Sequence, residues 1–199
     1  VGMLLVTNID LVLVNLLLGA QKGGEFGTII QFSILLRGVS GTVSTIFTPI
    51  IMEKYAKQDM SAIRSISALS TRLMSIGIGL SAGIMIGLGS PFLRLWLGEG
   101  FVFLWSTMAI TLIHLPVNLA TMPLMGIALA QKKVRTPGIF TLLAGVLNII
   151  LAWVFVKVFS LGINGIAIAD AISMTAIYGL FTSLYTAYIQ QENKLSYIK

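Results

Sequence analysis

Apolar runs of helical length alternate with short polar breaks along the whole chain. Six runs are long enough to cross a bilayer as helices, predicted at residues 1–19, 26–52, 73–92, 103–129, 137–158 and 163–188. None shows the ten-residue alternation of a barrel strand, so the expected fold is all-α: a polytopic membrane protein whose six helices form one bundle. The polar positions inside the second run are the most informative. At 100° per residue, Ser33, Arg37, Ser40, Ser44 and Thr48 fall within an arc of about 80°, while the rest of that helix is mostly Ile, Leu, Val and Phe. A cation at mid-bilayer costs roughly 2.5–3.5 kcal/mol on insertion scales, so Arg37 is expected to face protein or water. The stripe reads as one wall of a hydrated cavity.

The other runs carry fewer polar signals. The first holds Thr7, Asn8, Asp10 and Asn15, spread over about 160° of helix, which requires more than one partner. Glu53 to Arg72 reads as a basic amphipathic loop or interfacial helix. The third run repeats small residues at Ser75, Gly79, Gly83 and Gly87, a row that admits a closely packed neighbour. RLWLGEG, from Arg94, reads as a short re-entry loop with Trp96 and Trp105 as interfacial anchors. The fourth run is interrupted by Pro116 and Pro123, each removing a backbone donor, and is expected to kink. Its His114, Asn118 and Thr121 share one face. Asn148 is the only strongly polar residue inside the fifth run, and Asp170 lies some way into the sixth.

Composition agrees with this pattern. The chain is 56% hydrophobic and only 10% charged, against about 25% charged in soluble domains. The net charge of +6 would suit nucleic acid, but the basic residues sit in short loops, where they act as topology signals and lipid-headgroup contacts. Nine of them fall in the 52–73 and 129–137 connections and the tail QQENKLSYIK, against three (Lys22, Arg94 and Lys157) on the opposite side. The positive-inside rule places both ends in the cytoplasm, in a multi-pass arrangement in the cytoplasmic (inner) membrane. The absence of cysteine excludes disulfides and thiolate metal sites. The chain enters an apolar run at Val1 with no signal-peptide n-region, and is expected to be a piece of a longer polytopic protein.

Asp10, Arg37, His114 and Asp170 are the intramembrane ionisable residues. Arg37 is the candidate for an anionic headgroup, with Ser33, Ser40 and Ser44 beside it; the alternative is a structural pair with Asp10 or Asp170. Asp10 is the candidate coupling residue, for a proton or sodium, or else the counter-charge to Arg37. Asp170, near a helix start, is expected to be partly exposed at the interface. His114 has no second ligand at metal spacing, so packing is its default role, with a proton relay as the alternative. His114, Asn118 and Asp170 are the remaining candidate cavity residues. No nucleophile–base pair, phosphate loop or paired carboxylates is present, which excludes an enzyme by motif.

The order of NIDLVLVNLLLGA, LLRGVSGTVSTIFTP, MEKYAKQDM, LRLWLGEGF, LIHLPVNLATMPL, ALAQKKVRTPGI and LGINGIAIADAIS resembles the polysaccharide transporter family. These are the Wzx-type (RfbX-like) O-antigen flippases of the multidrug/oligosaccharidyl-lipid/polysaccharide superfamily. The resemblance implies a twelve-helix, MATE-like transporter of two six-helix bundles, of which this chain is the C-terminal one. It implies flipping of undecaprenyl-pyrophosphate-linked oligosaccharide for polysaccharide biosynthesis by alternating access, with no cofactor beyond possible H+ or Na+ coupling. Asp10 and Arg37 match charged positions of the first two helices of that bundle. Implied partners are the lipid-linked oligosaccharide, membrane lipids, the N-terminal half and polysaccharide polymerase machinery. A drug or metabolite:cation antiporter of the MATE type is the alternative from the same superfamily, and a membrane enzyme or passive scaffold the alternative from another class.

Overall fold

The computed structural model describes residues 2–133 and 135–188, with side chains from Ile9 onward. Thr7 and Asn8, whose side chains were assigned to the polar set of the first run, and the tail QQENKLSYIK lie outside this description. Among the described residues every regular element is helical. They are α1 (Gly2–Leu18), α2 (Ala20–Ala56), α3 (Met60–Gly87), α4 (Gly89–Leu97), α5 (Trp105–Ile113), α6 (Leu115–Ala120), α7 (Met125–Ala130), α8 (Arg135–Lys157) and α9 (Gly162–Met174). Short 3-10 turns at Glu99–Leu104 and Met122–Leu124 join some of these, and α9 runs on as a π-helix over Thr175–Thr182. Five helical stretches are long and apolar enough to span a bilayer, and α1 adds the apolar segment Ile9–Leu18.

Two connections are more helical than a loop. Of the two readings open for Glu53 to Arg72, loop or interfacial helix, the segment is helix except for a reversal at residues 57–59, so α2 and α3 both run past the apolar window. A local cap explains where the chain turns. Asp59 accepts a hydrogen bond from the Ala62 amide at 3.0 Å and from the Ser61 hydroxyl at 2.9 Å, satisfying donors that open α3. The Ala62 amide holds the Asp59 carboxyl below the usual carboxylate range. The RLWLGEG re-entry loop is likewise mostly helix: Arg94 to Leu97 belong to α4, which stops at Gly98 with φ 96°. A positive φ there is costly for any residue with a Cβ. Trp105 donates its indole N–H to the Ile86 carbonyl at 2.9 Å, satisfying one of the last acceptors of α3.

The fourth apolar run breaks as its prolines demand. His114 separates α5 from α6, one residue before Leu115 and Pro116, and the 3-10 turn at Met122–Leu124 contains Pro123. The small-residue row of α3 behaves differently from its pattern. A Cβ at Gly79 would sit 3.9 Å from Pro116, but at Gly83 and Gly87 it would meet nothing within 4 Å, so of the three glycines Gly79 is the one with a described neighbour that close.

α1 packs between α2 and α8 and also touches α9, while α5 packs against α9, α2 and α3. One core joins Val14, Phe26, Ile29, Leu93, Leu104, Leu112, Leu115, Ile166 and their neighbours; a second, smaller one gathers Ile51, Ile63, Ile127 and Ala128 at the end of the bundle near the α2–α3 reversal. Lipid is as apolar as these side chains, so their burial gives little association energy in a membrane. Close fit and interhelical polar bonds hold such a bundle together. α1 and α2 meet closely at Gly23, where a Cβ would collide with the Asn15 side chain. The buried polar groups are therefore part of the fold as well as candidates for function.

Candidate functional site

The stripe on α2 does face inward. Ser33, Ser40 and Ser44 are buried, and Arg37 keeps 22% of its side-chain surface exposed. The guanidinium is fixed from two directions. Its Nε donates to Ser33 Oγ one turn back at 3.1 Å, and its Nη2 donates to Asp170 Oδ2 on α9 at 3.1 Å. Asp170 is thus buried, contrary to the expected interfacial position. Eight residues into α9 it lies about 12 Å from the helix start, and the ion pair satisfies it there. Of the two carboxylates proposed as Arg37's counter-charge, Asp170 is the one within pairing distance.

Asp10 lies beside this pair without joining it. Its Oδ1 accepts from Asn148 Nδ2 of α8 at 2.7 Å, and it lines a small internal cavity together with Ser33, Arg37, Thr111 and Asp170. His114, at the α5–α6 break, points its Nε2 at Asp170 Oδ2 from 3.6 Å, while its Nδ1 takes a 2.7 Å hydrogen bond from Asn118 Nδ2. Asn118 Nδ2 also reaches Thr175 Oγ1 at 3.4 Å, at the first residue of the π-helix. Thr121 completes the row, donating to the Tyr178 carbonyl at 3.2 Å. Five helical spans therefore contribute to one buried polar cluster: Asp10, Ser33–Arg37, His114–Asn118–Thr121, Asn148 and Asp170–Thr175. Several of its atoms have no hydrogen-bond partner: Ser40 Oγ, His114 Nε2, Asn118 Oδ1, Asn148 Oδ1 and Asp170 Oδ1.

The stripe then leaves the cluster. Ser44, Thr45 and Thr48 line a separate cavity of about 470 Å³, closed by Thr121, Met125, Leu129, Pro137, Thr141 and Tyr178 among others, with no charged residue on its wall. Its hydroxyls are turned to nearby carbonyls: Thr48 to Ser44, Thr45 to Thr42, and Thr141 to Pro137. Ser40 sits between the two regions, fully buried.

Sequence reasoning singled out Asp10, Arg37, His114, Asn118 and Asp170, and the fold brings all five together. It assigned no role to Asn148, whose signal was its isolation in an apolar span, and it missed Thr111, Thr175 and Tyr178. The π-helix that follows Asp170 had no sequence signal at all. π-helical turns arise where a tertiary contact repays the poorer backbone geometry, and here Thr121 bonds to the Tyr178 carbonyl inside the segment. Among the described residues no group of three metal-binding side chains converges.

No family model matches the chain. The chain aligns over 95% of its length with the Vibrio cholerae MATE transporter VcmN in its bent form, with a TM-score of 0.82 and 20% identity, spanning 43% of that chain. The fold is MATE-like. Over all 199 residues it is 39% identical to the "Uncharacterized membrane protein EpsK" of Bacillus subtilis (strain 168). It spans 39% of that relative's length, about two fifths. With its five candidate spans and this homologue, the chain is a multi-pass membrane protein. Most of the polar cluster lies on the buried faces between these helices.

Proposed function

We propose that this chain is one bundle of a two-bundle transporter, not an enzyme. In this reading the complete protein flips undecaprenyl-pyrophosphate-linked oligosaccharide across the cytoplasmic membrane by alternating access. The observation that carries the reading is Arg37: a guanidinium inside the bundle, partly exposed, with only one carboxylate in salt-bridge range among the described residues. Its fork of donors suits a pyrophosphate, which an ammonium would hold less well. Ser33 and Asp170 hold the guanidinium in place until an anion competes for it. The lipid chain stays in the bilayer, where burial in protein would add nothing. Asp10 has no cation in pairing range among the described residues and is the carboxylate free to carry a coupling proton. The N-terminal half supplies the other wall, and both ends of this bundle face the cytoplasm.

The test is Arg37→Ala in the full-length protein. Loss of surface glycan with the protein still in the membrane is expected; normal glycan export would refute the reading. One observation favours a second reading, a drug or metabolite:cation antiporter. The cavity of about 470 Å³ is wholly uncharged and of a size that suits a small apolar guest. In that case cells lacking the transporter gain drug sensitivity and keep their surface glycan.

A further inference from the structure

His114 is the buried titratable group that the proposed mechanism leaves unused, and its surroundings are built for two protonation states. Asn118 Nδ2 can only donate, so His114 Nδ1 accepts that bond and the ring hydrogen sits on Nε2. The Nε2–H points at Asp170 Oδ2 from 3.6 Å, longer than a hydrogen bond. That oxygen is the one Arg37 holds at 3.1 Å, while Asp170 Oδ1 has no partner. Two cationic or potentially cationic groups thus contend for one carboxylate. The neighbourhood holds two carboxylates, Asp10 and Asp170, and one permanent cation, Arg37. Protonated His114 would be the second cation.

A proton added to His114 arrives at Nδ1, facing Asn118, where the amide nitrogen cannot receive it. The amide can turn over. Asn118 Oδ1, now without a partner, would then accept the new Nδ1–H. Thr175 Oγ1, which now accepts from the amide at 3.4 Å, would become the donor to that oxygen. Gly179 leaves room beside the amide, since a Cβ there would already lie 3.4 Å from Asn118 Oδ1. In the protonated arrangement both ring N–H groups therefore have an acceptor, Asp170 Oδ2 for Nε2–H and Asn118 Oδ1 for Nδ1–H.

We propose that His114, with Asn118 as its reversible partner, is a proton-operated latch on the Arg37–Asp170 pair: protonated His114 takes Asp170 and releases Arg37 to bind an anionic headgroup. The inference rests on the reading of Arg37 as the anion site and assigns its regulation. By linkage, an anion on Arg37 favours protonated His114, and acid favours the anion. The groups that face His114 are few. Asp170 on α9 lies 3.6 Å from the ring, Arg37 on α2 is paired with that aspartate, and Asp10 on α1 lines the cavity that Arg37 and Asp170 share. α3, which packs along α6, keeps its two arginines, Arg64 and Arg72, exposed. Thr175, the first π-helical residue, connects the latch to the segment carrying Tyr178.

The test is the structure of the full-length transporter in lipid nanodiscs at about pH 8 and about pH 4, the lower value set for an imidazole enclosed among helices. At the higher pH the arrangement is as described above. At the lower, His114 Nε2 moves to about 3 Å from Asp170 and the Arg37–Asp170 separation opens beyond about 4 Å. His114→Gln keeps the Arg37–Asp170 pair at both values. An acid structure with that pair intact and His114 unmoved overturns the latch, as does His114→Gln opening like the wild type. Nitrogen-15 spectra give a readout that needs no variant. Acid should convert the His114 ring from the Nε2–H form to the doubly protonated form together with a shift of the Asn118 amide; an unchanged Asn118 amide overturns the proposal. None of these measurements uses transport. Failure of the flippase reading, seen as export by Arg37→Ala, is therefore distinguishable from failure of the latch.

Discussion

Two stretches of one stripe on α2 look alike in sequence and differ in physics. Beside Ser33, the Arg37 guanidinium reaches across to Asp170 of α9, and the neighbouring Asp10 of α1 is held by Asn148 of α8. At Ser44, Thr45 and Thr48 the threonine hydroxyls bond to their own helix and leave an uncharged cavity wall. A hydroxyl that returns to the carbonyl three or four residues back offers little to a ligand. The first stretch therefore couples helices and holds charge, while the second shapes a space. Alternating-access movement needs both: a polar contact that can be exchanged, and a region whose packing is not locked by long-range bonds.

The largest expected effect comes from breaking the charged stretch on one side only. Asp170→Leu leaves the half-buried Arg37 without its carboxylate and should lower unfolding stability in detergent by up to about 3 kcal/mol. The double variant Arg37→Met with Asp170→Leu should recover most of that loss. A double variant no more stable than Asp170→Leu would show that the pair is not the source. Next comes the Asp10 bond. Asn148→Leu removes the donor to a buried carboxylate, with an expected loss of about 1–3 kcal/mol by the same measurement. In the cavity, Thr48→Val removes only a bond within its own helix and should change stability by less than about 0.5–1.5 kcal/mol. An effect there as large as that of Asn148→Leu would erase the contrast between the two stretches.

The smallest effect lies outside the membrane. Because the Asp59 carboxyl is held below its usual range in the folded chain, the cap contributes above the ordinary carboxylate range. It is lost as pH falls through the depressed value. Hydrogen exchange at Ala62 should accelerate in that acid window, and Asp59→Ala should exchange fast at every pH.

The sequence made the helices and the polar set legible because both follow from burial cost: apolar runs must span, and a charge inside one must find a partner. It left open which partner. Asp10 and Asp170 were equivalent as counter-charges to Arg37 until α9 was placed against α2. Position near a helix start suggests partial exposure for Asp170, and it is buried because its ion pair with Arg37 satisfies it inside the bundle. For Glu53 to Arg72 the pattern allows either a loop or an interfacial helix and does not choose between them. Basic residues mark the end of the apolar window, yet Lys54, Arg64 and Arg72 continue helices beyond it, and the turn is set by Asp59. The small-residue row of α3 marks a face open to close approach, and among its glycines Gly79 faces a described neighbour, Pro116.

The central claim is that Arg37 recognises an anionic head on a lipid-linked sugar. The most direct measurement is flipping in proteoliposomes holding the full-length transporter, with a fluorescent oligosaccharide carried on undecaprenyl pyrophosphate or on an uncharged linkage. The account predicts transport of the pyrophosphate lipid that falls by about tenfold or more in Arg37→Ala, equivalent to at least about 1.4 kcal/mol, with the uncharged lipid not moved by either protein. Equal flipping of the two lipids, or of the pyrophosphate lipid by wild type and Arg37→Ala, would contradict it.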